Sequence, residues 1–247
     1  MFKENRLPEG GHGNSVSGWT KNFRNARALS GLQAVKMCLL PELPLIKRHL
    51  KSPILDAGCG AGEWVQFLHM RGYIAIGLDY SEQLIEMNRR RYPASEWLVG
   101  DIRNVAMPDS TLGGIISWGV IEHDEAGPGA ALREFYRLLK PGACCIVTVP
   151  VDTERQKTVG LKGNEANAGE FFQYYFKPDE LAAQLRGAGF DIAHSGLLPR
   201  KSIALAAPNL YFRYIGTRLF ILARLVALFS RVKDTAGMTI CIGRKPD

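Results

Sequence analysis

The sequence predicts an α/β fold: a mostly parallel, doubly wound sheet covered by helices on both faces. Three observations carry this. From residue 53 onward, short apolar runs alternate with segments of helical periodicity. The runs are continuously apolar rather than alternating in polarity, as in strands buried on both faces. A turn with glycines at alternate positions follows the first run. A chain of 247 residues accommodates a single large core. Its 46% hydrophobic and 22% charged residues are ordinary for a globular domain.

Each element has a local reason. Residues 1–28 are rich in Gly, Asn, Lys and Arg, which predicts a mobile arm that orders over a ligand. Trp19 and Phe23 are its exceptions, suited either to packing on the domain or to closing a substrate pocket. From Ala28 to Leu50, Leu29, Leu32, Val35, Leu39 and Leu40 recur at helical spacing, interrupted by Pro41 and Pro44, which gives one or two helices. Strands are predicted over 53–57, 73–78, 96–100, 113–118 and 143–149, and helices over 62–71, 82–91 and 129–140. Residues 151–170 have no apolar period and contain three glycines, the signature of a long lid-type loop. The aromatics Phe171, Phe172, Tyr174, Tyr175 and Phe176 suit a pocket wall or the core. A helix over 178–188, a strand over 190–197 and a last strand from Met238 to Gly243 complete the pattern. The chain thus divides into residues 1–50, an arm and helices capping the site, and a domain over 51–247 with an insertion at about 199–234. The five cysteines are odd in number and form no C-x-x-C pair, and the first thirty residues hold no secretory pattern; both point to reduced thiols in the cytoplasm.

The chemistry concentrates between Pro53 and Trp64, P-I-L-D-A-G-C-G-A-G-E-W. Glycines at 58, 60 and 62 let a ligand approach backbone N–H groups where no Cβ intervenes. A dinucleotide fingerprint would need a small residue at 63, where Glu63 stands. Carboxylates at Asp56 and Glu63 repel a pyrophosphate but suit a ligand carrying an ammonium and a sulfonium, such as S-adenosylmethionine. Asp79, about 20 residues on at the end of the next apolar run, matches an acid that accepts hydrogen bonds from ribose hydroxyls.

The stretch Asp56-Ala57-Gly58-Cys59-Gly60-Ala61-Gly62 resembles the D-x-G-x-G-x-G signature of class I S-adenosylmethionine-dependent methyltransferases, in particular the small-molecule and quinone types. Five further stretches resemble that family in the right order: Gly77 to Ser81, Gly100 to Ile102, Trp118 to His123, Leu138 to Gly142, and Phe176 to Leu181. The resemblance implies a Rossmann-like sheet of seven strands with an antiparallel last strand. It also implies a cofactor site of Asp56, Gly58, Cys59, Gly60, Gly62, Asp79, Tyr80, Asp101, Ile102, Ser117 and Trp118. Methyl transfer asks the protein to align an acceptor and, where needed, to remove its proton. His123 is the candidate base, with Glu122 beside it; local backbone bonding is the alternative for both. Some relatives extend this region to a metal-binding E-x-x-E-H, but Gly119 stands where the first Glu would be, so no metal is assigned.

The net charge of +7 has a single location. No acid lies between Asp191 and Asp234, while Arg200, Lys201, Arg213, Arg218, Arg224, Arg231 and Lys233 do; removing those seven from 31 basic residues leaves 24, equal to the 24 acids. Within this segment, Asn209 to Arg231 reads as an amphipathic basic helix whose arginines interrupt the apolar run too early to span a bilayer. It suits a lid over a lipophilic substrate, a dimer contact, or a helix lying on the anionic inner membrane surface. The expected function is methylation, on oxygen or carbon, of a small or lipophilic acceptor. The alternative is a non-catalytic module that binds a partner or membrane through the basic helix. Nucleic acid is disfavoured, because the basic segment lacks the aromatic interleaving of a strand-binding groove and no N-P-P-Y-type tetrapeptide stands at Ser117 to Val120.

Overall fold

The computed structural model describes residues 1–6, 15–23, 26, 28, 29, 34, 37, 40, 42–152, 170–198 and 237–247. Among them, in chain order, run β1 (Phe2–Arg6), α1 (Val16–Phe23), α2 (Glu42–His49), β2 (Ile54–Ala57), α3 (Glu63–His69), β3 (Ala75–Asp79), α4 (Glu82–Arg91), β4 (Glu96–Val99) and β5 (Leu112–Trp118). After a 3₁₀ turn at Ile121–His123 follow α5 (Gly129–Leu138), β6 (Leu139–Pro150), β7 (Glu170–Tyr175), α6 (Pro178–Gly187), β8 (Asp191–Leu198) and β9 (Met238–Arg244).

Seven strands form one sheet in the order β4-β3-β2-β5-β6-β9-β8. Pairings are parallel from β4 through β6, whereas β9 inserts antiparallel between β6 and β8. The predicted α/β class, seven strands and antiparallel last strand are thereby observed. Strands β2 and β3 are buried at every position, as continuously apolar runs require. One face packs Leu132, Phe135, Leu181 and Leu185 of α5 and α6 against the sheet. The other packs Ile46, Val65, Leu68 and Ile85 of α2, α3 and α4.

Most predicted boundaries agree to within two residues; two regions differ. Helix α5 ends at Leu138 rather than 140, and β6 begins at Leu139, four residues earlier than predicted. Pro141 is the cause, because the residue before a proline is pushed out of the α region; Leu139 pairs with Leu112 and Gly142 N donates to Lys245 O at 2.9 Å. The second correction concerns the arm expected to be mobile over 1–28. Phe2–Arg6 instead pairs antiparallel with β7 in a separate two-stranded sheet, and Val16–Phe23 is helical. Cross-strand polar contacts hold that pair: buried Glu4 accepts from the Tyr175 hydroxyl at 2.6 Å and from Gln173 Nε2 at 2.9 Å. F-K-E-N-R has no apolar alternation, so its pattern could not announce a strand. The insertion at about 199–234, with its amphipathic stretch 209–231, and the lid expected over 151–170, apart from its ends, lie outside the described residues.

Candidate functional site

The winding of the sheet reverses between β2 and β5, and the carboxyl ends of those strands open onto a cavity of about 750 Å³, within the usual range for small-molecule sites. Its floor is the turn after β2. Gly58 and Gly60 have φ of 87° and 50°, in the left-handed region that favours glycine. The turn is fastened from below, where Gly58 N and Cys59 N both donate to Leu78 O on β3, at 2.8 and 2.9 Å. Asn88 Nδ2 of α4 donates to Gly60 O at 2.8 Å. A Cβ on Gly58 would lie 2.6 Å from a Val120 methyl, so the segment after β5 closes directly against the bare backbone.

Asp79 ends β3 beside this turn. Its Oδ2 accepts from Gly60 N and its Oδ1 from Ser81 N, each at 3.0 Å. A carboxylate offers about four lone-pair sites, so both oxygens keep acceptor capacity toward the cavity they line. Burial pushes the Asp79 carboxyl upward, opposed by those backbone N–H groups. Ser81 then caps α4, its hydroxyl accepting from Leu84 N at 3.3 Å.

The opposite wall is built from side chains. His123 ends the 3₁₀ turn after β5, and its Nδ1 lies 2.8 Å from Phe172 O of β7. A carbonyl only accepts, so Nδ1 carries the hydrogen and the neutral ring keeps its lone pair on Nε2. Trp19 of α1 meets this ring edge-on at 4.7 Å, and Phe172 meets it at 5.3 Å. Phe171 and Trp118 extend the aromatic wall, while Phe23 of the same helix as Trp19 reaches toward the glycine turn. Trp118 Nε1 is buried with no hydrogen-bond partner among the described residues. Glu122 is 2% exposed, its Oε1 lies 3.8 Å from His123 Nε2, and its Oε2 has no partner among the described residues. Burial pushes its carboxyl up to about 8.

Of the residues singled out in the sequence, Gly58, Gly60, Asp79, Tyr80, Asp101, Ile102, Trp118 and His123 line the cavity. Four lie behind its wall. Ser117 donates to Ala57 O at 3.2 Å, a strand-to-strand tie. Gly62 is bare because a Cβ there would meet the Trp97 ring at 2.4 Å. Cys59 is a buried thiol pushed well up by burial and then by Asp56 and Asp79. Asp56 is buried in β2, and burial with the nearby Asp79 charge pushes its carboxyl up to about 8. Burial thus favours the neutral form of Asp56, and a cationic ligand nearby would favour its ionised form. Asp101 is also more committed than expected, since Arg103 Nε and Nη2 bond its carboxylate at 2.6–3.0 Å and hold it below the usual range. Arg103 and Asp124 line the cavity without a motif to signal them, and Val120 lies within the Trp118–His123 stretch without having been singled out. Trp19 and Phe23 were visible as the aromatic exceptions in a polar arm.

Comparison with known proteins agrees with this geometry. Residues 54–142 match a family model described as a methyltransferase domain. The chain is 28% identical over 141 residues to a probable S-adenosylmethionine-dependent methyltransferase of Mycolicibacterium smegmatis, covering 56% of this chain and 52% of that protein. It is 33% identical over 96 residues to a malonyl-[acyl-carrier protein] O-methyltransferase of Yersinia pestis, covering 39% and 36%. The chain thus spans about half the length, or less, of the curated relatives it matches. Among solved structures, its fold is similar to the Burkholderia thailandensis 1,6-didemethyltoxoflavin-N1-methyltransferase with bound 1,6-didemethyltoxoflavin and S-adenosylhomocysteine, with a TM-score of 0.57 at 15% identity over 94% of this chain and 87% of that one.

Proposed function

We propose that this chain, whose residues 54–142 match a methyltransferase-domain model, is a class I S-adenosylmethionine-dependent methyltransferase that transfers a methyl group from that cofactor to oxygen or carbon of a small or lipophilic acceptor. One observation carries the reading: a single cavity has a bare glycine turn and an acid at one end and an aromatic wall with a histidine at the other. The residues fit the cofactor, because Gly58 and Gly60 line the cavity with bare backbone and Asp79 keeps acceptor sites for ribose hydroxyls. Bound there, it would supply an activated methyl and a good leaving group.

In this reading Gly58 and Gly60 lie along the ligand, Asp79 takes the sugar hydroxyls, and Tyr80, Asp101 and Ile102 flank the base. Asp56, Cys59, Gly62 and Ser117 support the turn from behind, and Trp118 closes the junction of the two halves. His123 Nε2 accepts the proton of an acceptor hydroxyl as its oxygen attacks. The aromatic wall aligns the acceptor and excludes water, which is most of what an in-line displacement needs. Residues 1–50 cap the site of the domain formed by 51–247. The basic stretch 209–231, outside the described residues, serves as a lid over a lipophilic acceptor, a dimer contact or a contact with an anionic membrane surface; among the described residues no helix is long and apolar enough to cross a membrane.

Titration calorimetry with S-adenosylmethionine, S-adenosylhomocysteine and NAD tests the cofactor. Binding of the first two without NAD is expected; tight NAD binding with no response to the others would sink the proposal. Incubation with methyl-labelled cofactor and a host extract containing its membranes, read by mass spectrometry, identifies the acceptor. If cofactor binds and no molecule gains the label, the non-catalytic reading takes over. Sedimentation with anionic vesicles at low salt tests the membrane contact, which should weaken when Arg213, Arg218 and Arg224 become Glu. Each basic residue near such a surface is worth about 1 kcal/mol, so unchanged binding refutes it.

A further inference from the structure

We propose that Thr20, through its hydrogen bond to Ser81, is a positioning residue that seats α1 across both halves of the cavity, and that breaking this bond sets how fast ligands enter and leave. The proposal rests on the adenosylmethionine reading of the glycine turn. Helix α1 is eight residues long, too short to persist alone in water, so it exists by docking. Trp19 and Phe23, one turn apart, stack at 6.5 Å and reach different ends of the cavity. Trp19 stands on His123 and Phe172. Phe23 lies over the glycine turn, 3.4 Å from where a Gly60 Cβ would be. A ligand laid along that turn is either covered by the Phe23 ring or must displace it, and in both cases α1 has to lift.

The fastening of α1 is a buried hydroxyl pair. Thr20 and Ser81 are 6% and 1% exposed and their oxygens are 2.6 Å apart. The hydrogen inventory sets the direction. Thr20 spends its one hydroxyl hydrogen on Val16 O at 2.7 Å, so Ser81 is the donor and Thr20 the acceptor. Ser81 meanwhile accepts from Leu84 N, and its backbone N–H donates to Asp79 Oδ1. Ser81 therefore joins the aromatic helix to the cap of α4 and to the acid proposed to hold the ribose. Removing the Thr20 hydroxyl leaves a buried donor without its acceptor, which pulls the docked state toward the open one by about tenfold in population.

Two measurements on the full chain test this. Without ligand, hydrogen exchange of the α1 amides should be about tenfold faster in Thr20→Val, near wild type in Thr20→Ser, and no faster still when Ser81→Ala is added to Thr20→Val, because both changes remove one bond. With S-adenosylhomocysteine, stopped-flow tryptophan fluorescence should show association and dissociation both accelerated about tenfold in Thr20→Val, with affinity within about twofold, and Thr20→Ser should restore the wild-type rates. Exchange and rates within about twofold of wild type, or a Thr20→Ser variant as fast as Thr20→Val, overturn the proposal. If wild-type protein does not bind S-adenosylhomocysteine, the cofactor reading fails, and the ligand-free exchange still decides whether Thr20 and Ser81 hold α1.

Discussion

The two ends of the cavity are built in opposite ways. At the glycine turn the main chain does the work: Gly58, Cys59 and Gly60 are held by hydrogen bonds to Leu78 O and Asp79, and the ligand-facing surface is backbone. At the other end the surface is side chain, and its parts come from α1, the turn after β5, and β7, segments separated by 100 residues or more between Trp19 and His123. A backbone cradle is specific for a ligand that never changes and tolerates few substitutions. A wall of Trp, Phe and His rings can be re-cut one residue at a time. This is the division of labour expected of a domain that pairs a constant donor with a variable acceptor.

The largest expected effect tests whether the two ends are separable. His123→Ala should lower turnover of the labelled acceptor by about 10² to 10⁴, the usual worth of a general base, with S-adenosylhomocysteine affinity unchanged by calorimetry. Turnover within about threefold of wild type would make the histidine a purely structural partner of Phe172. Asp79→Ala should do the reverse. It removes the proposed ribose acceptor together with the clamp on Gly60 N and Ser81 N, so cofactor affinity should fall by about 1.5 to 3 kcal/mol, the worth of hydrogen bonds to a charged group. A loss of less than about a factor of two would mean that Asp79 shapes the turn without holding the ligand.

The same contrast explains what was legible in the sequence. The sheet was readable because strands buried on both faces carry continuous apolar runs, and the turn because Gly58 and Gly60 need backbone angles that other residues resist. Asp79 followed from its distance to those glycines. The acceptor end was only partly readable. Trp19 and Phe23 stood out against a polar arm, but nothing local said that they would meet His123 and Gly60. Strand β1 was invisible, since its support is a Glu4–Tyr175–Gln173 contact made across 169 to 171 residues of sequence. Asp56 was read as a standing charge because sequence shows residue type and not burial.

The smallest expected effect concerns the buried acids, one on each side. Asp56 and Glu122 are both pushed up to about 8 by burial, Asp56 with added repulsion from Asp79. A carboxyl whose folded pKa is raised binds more protons in the folded state between its unfolded value and about 8. It therefore favours the fold fully below the ordinary carboxyl range, and that contribution is lost as pH rises through about 8. Glu122→Gln keeps the shape and cannot ionise. Its thermal stability should match wild type near pH 5 and exceed it by on the order of 1–3 kcal/mol at pH 9, where the wild type must bury a charge with one oxygen, Oε2, lacking a partner among the described residues. Asp56→Asn should show the same trend without ligand. The two should part when S-adenosylmethionine is present, because its positive charge at the turn favours ionised Asp56 and restores the wild type's advantage there, while Glu122, at the far wall, gains less. A Glu122→Gln difference that is constant from pH 5 to pH 9 would mean that Glu122 is already ionised in the folded protein across that range.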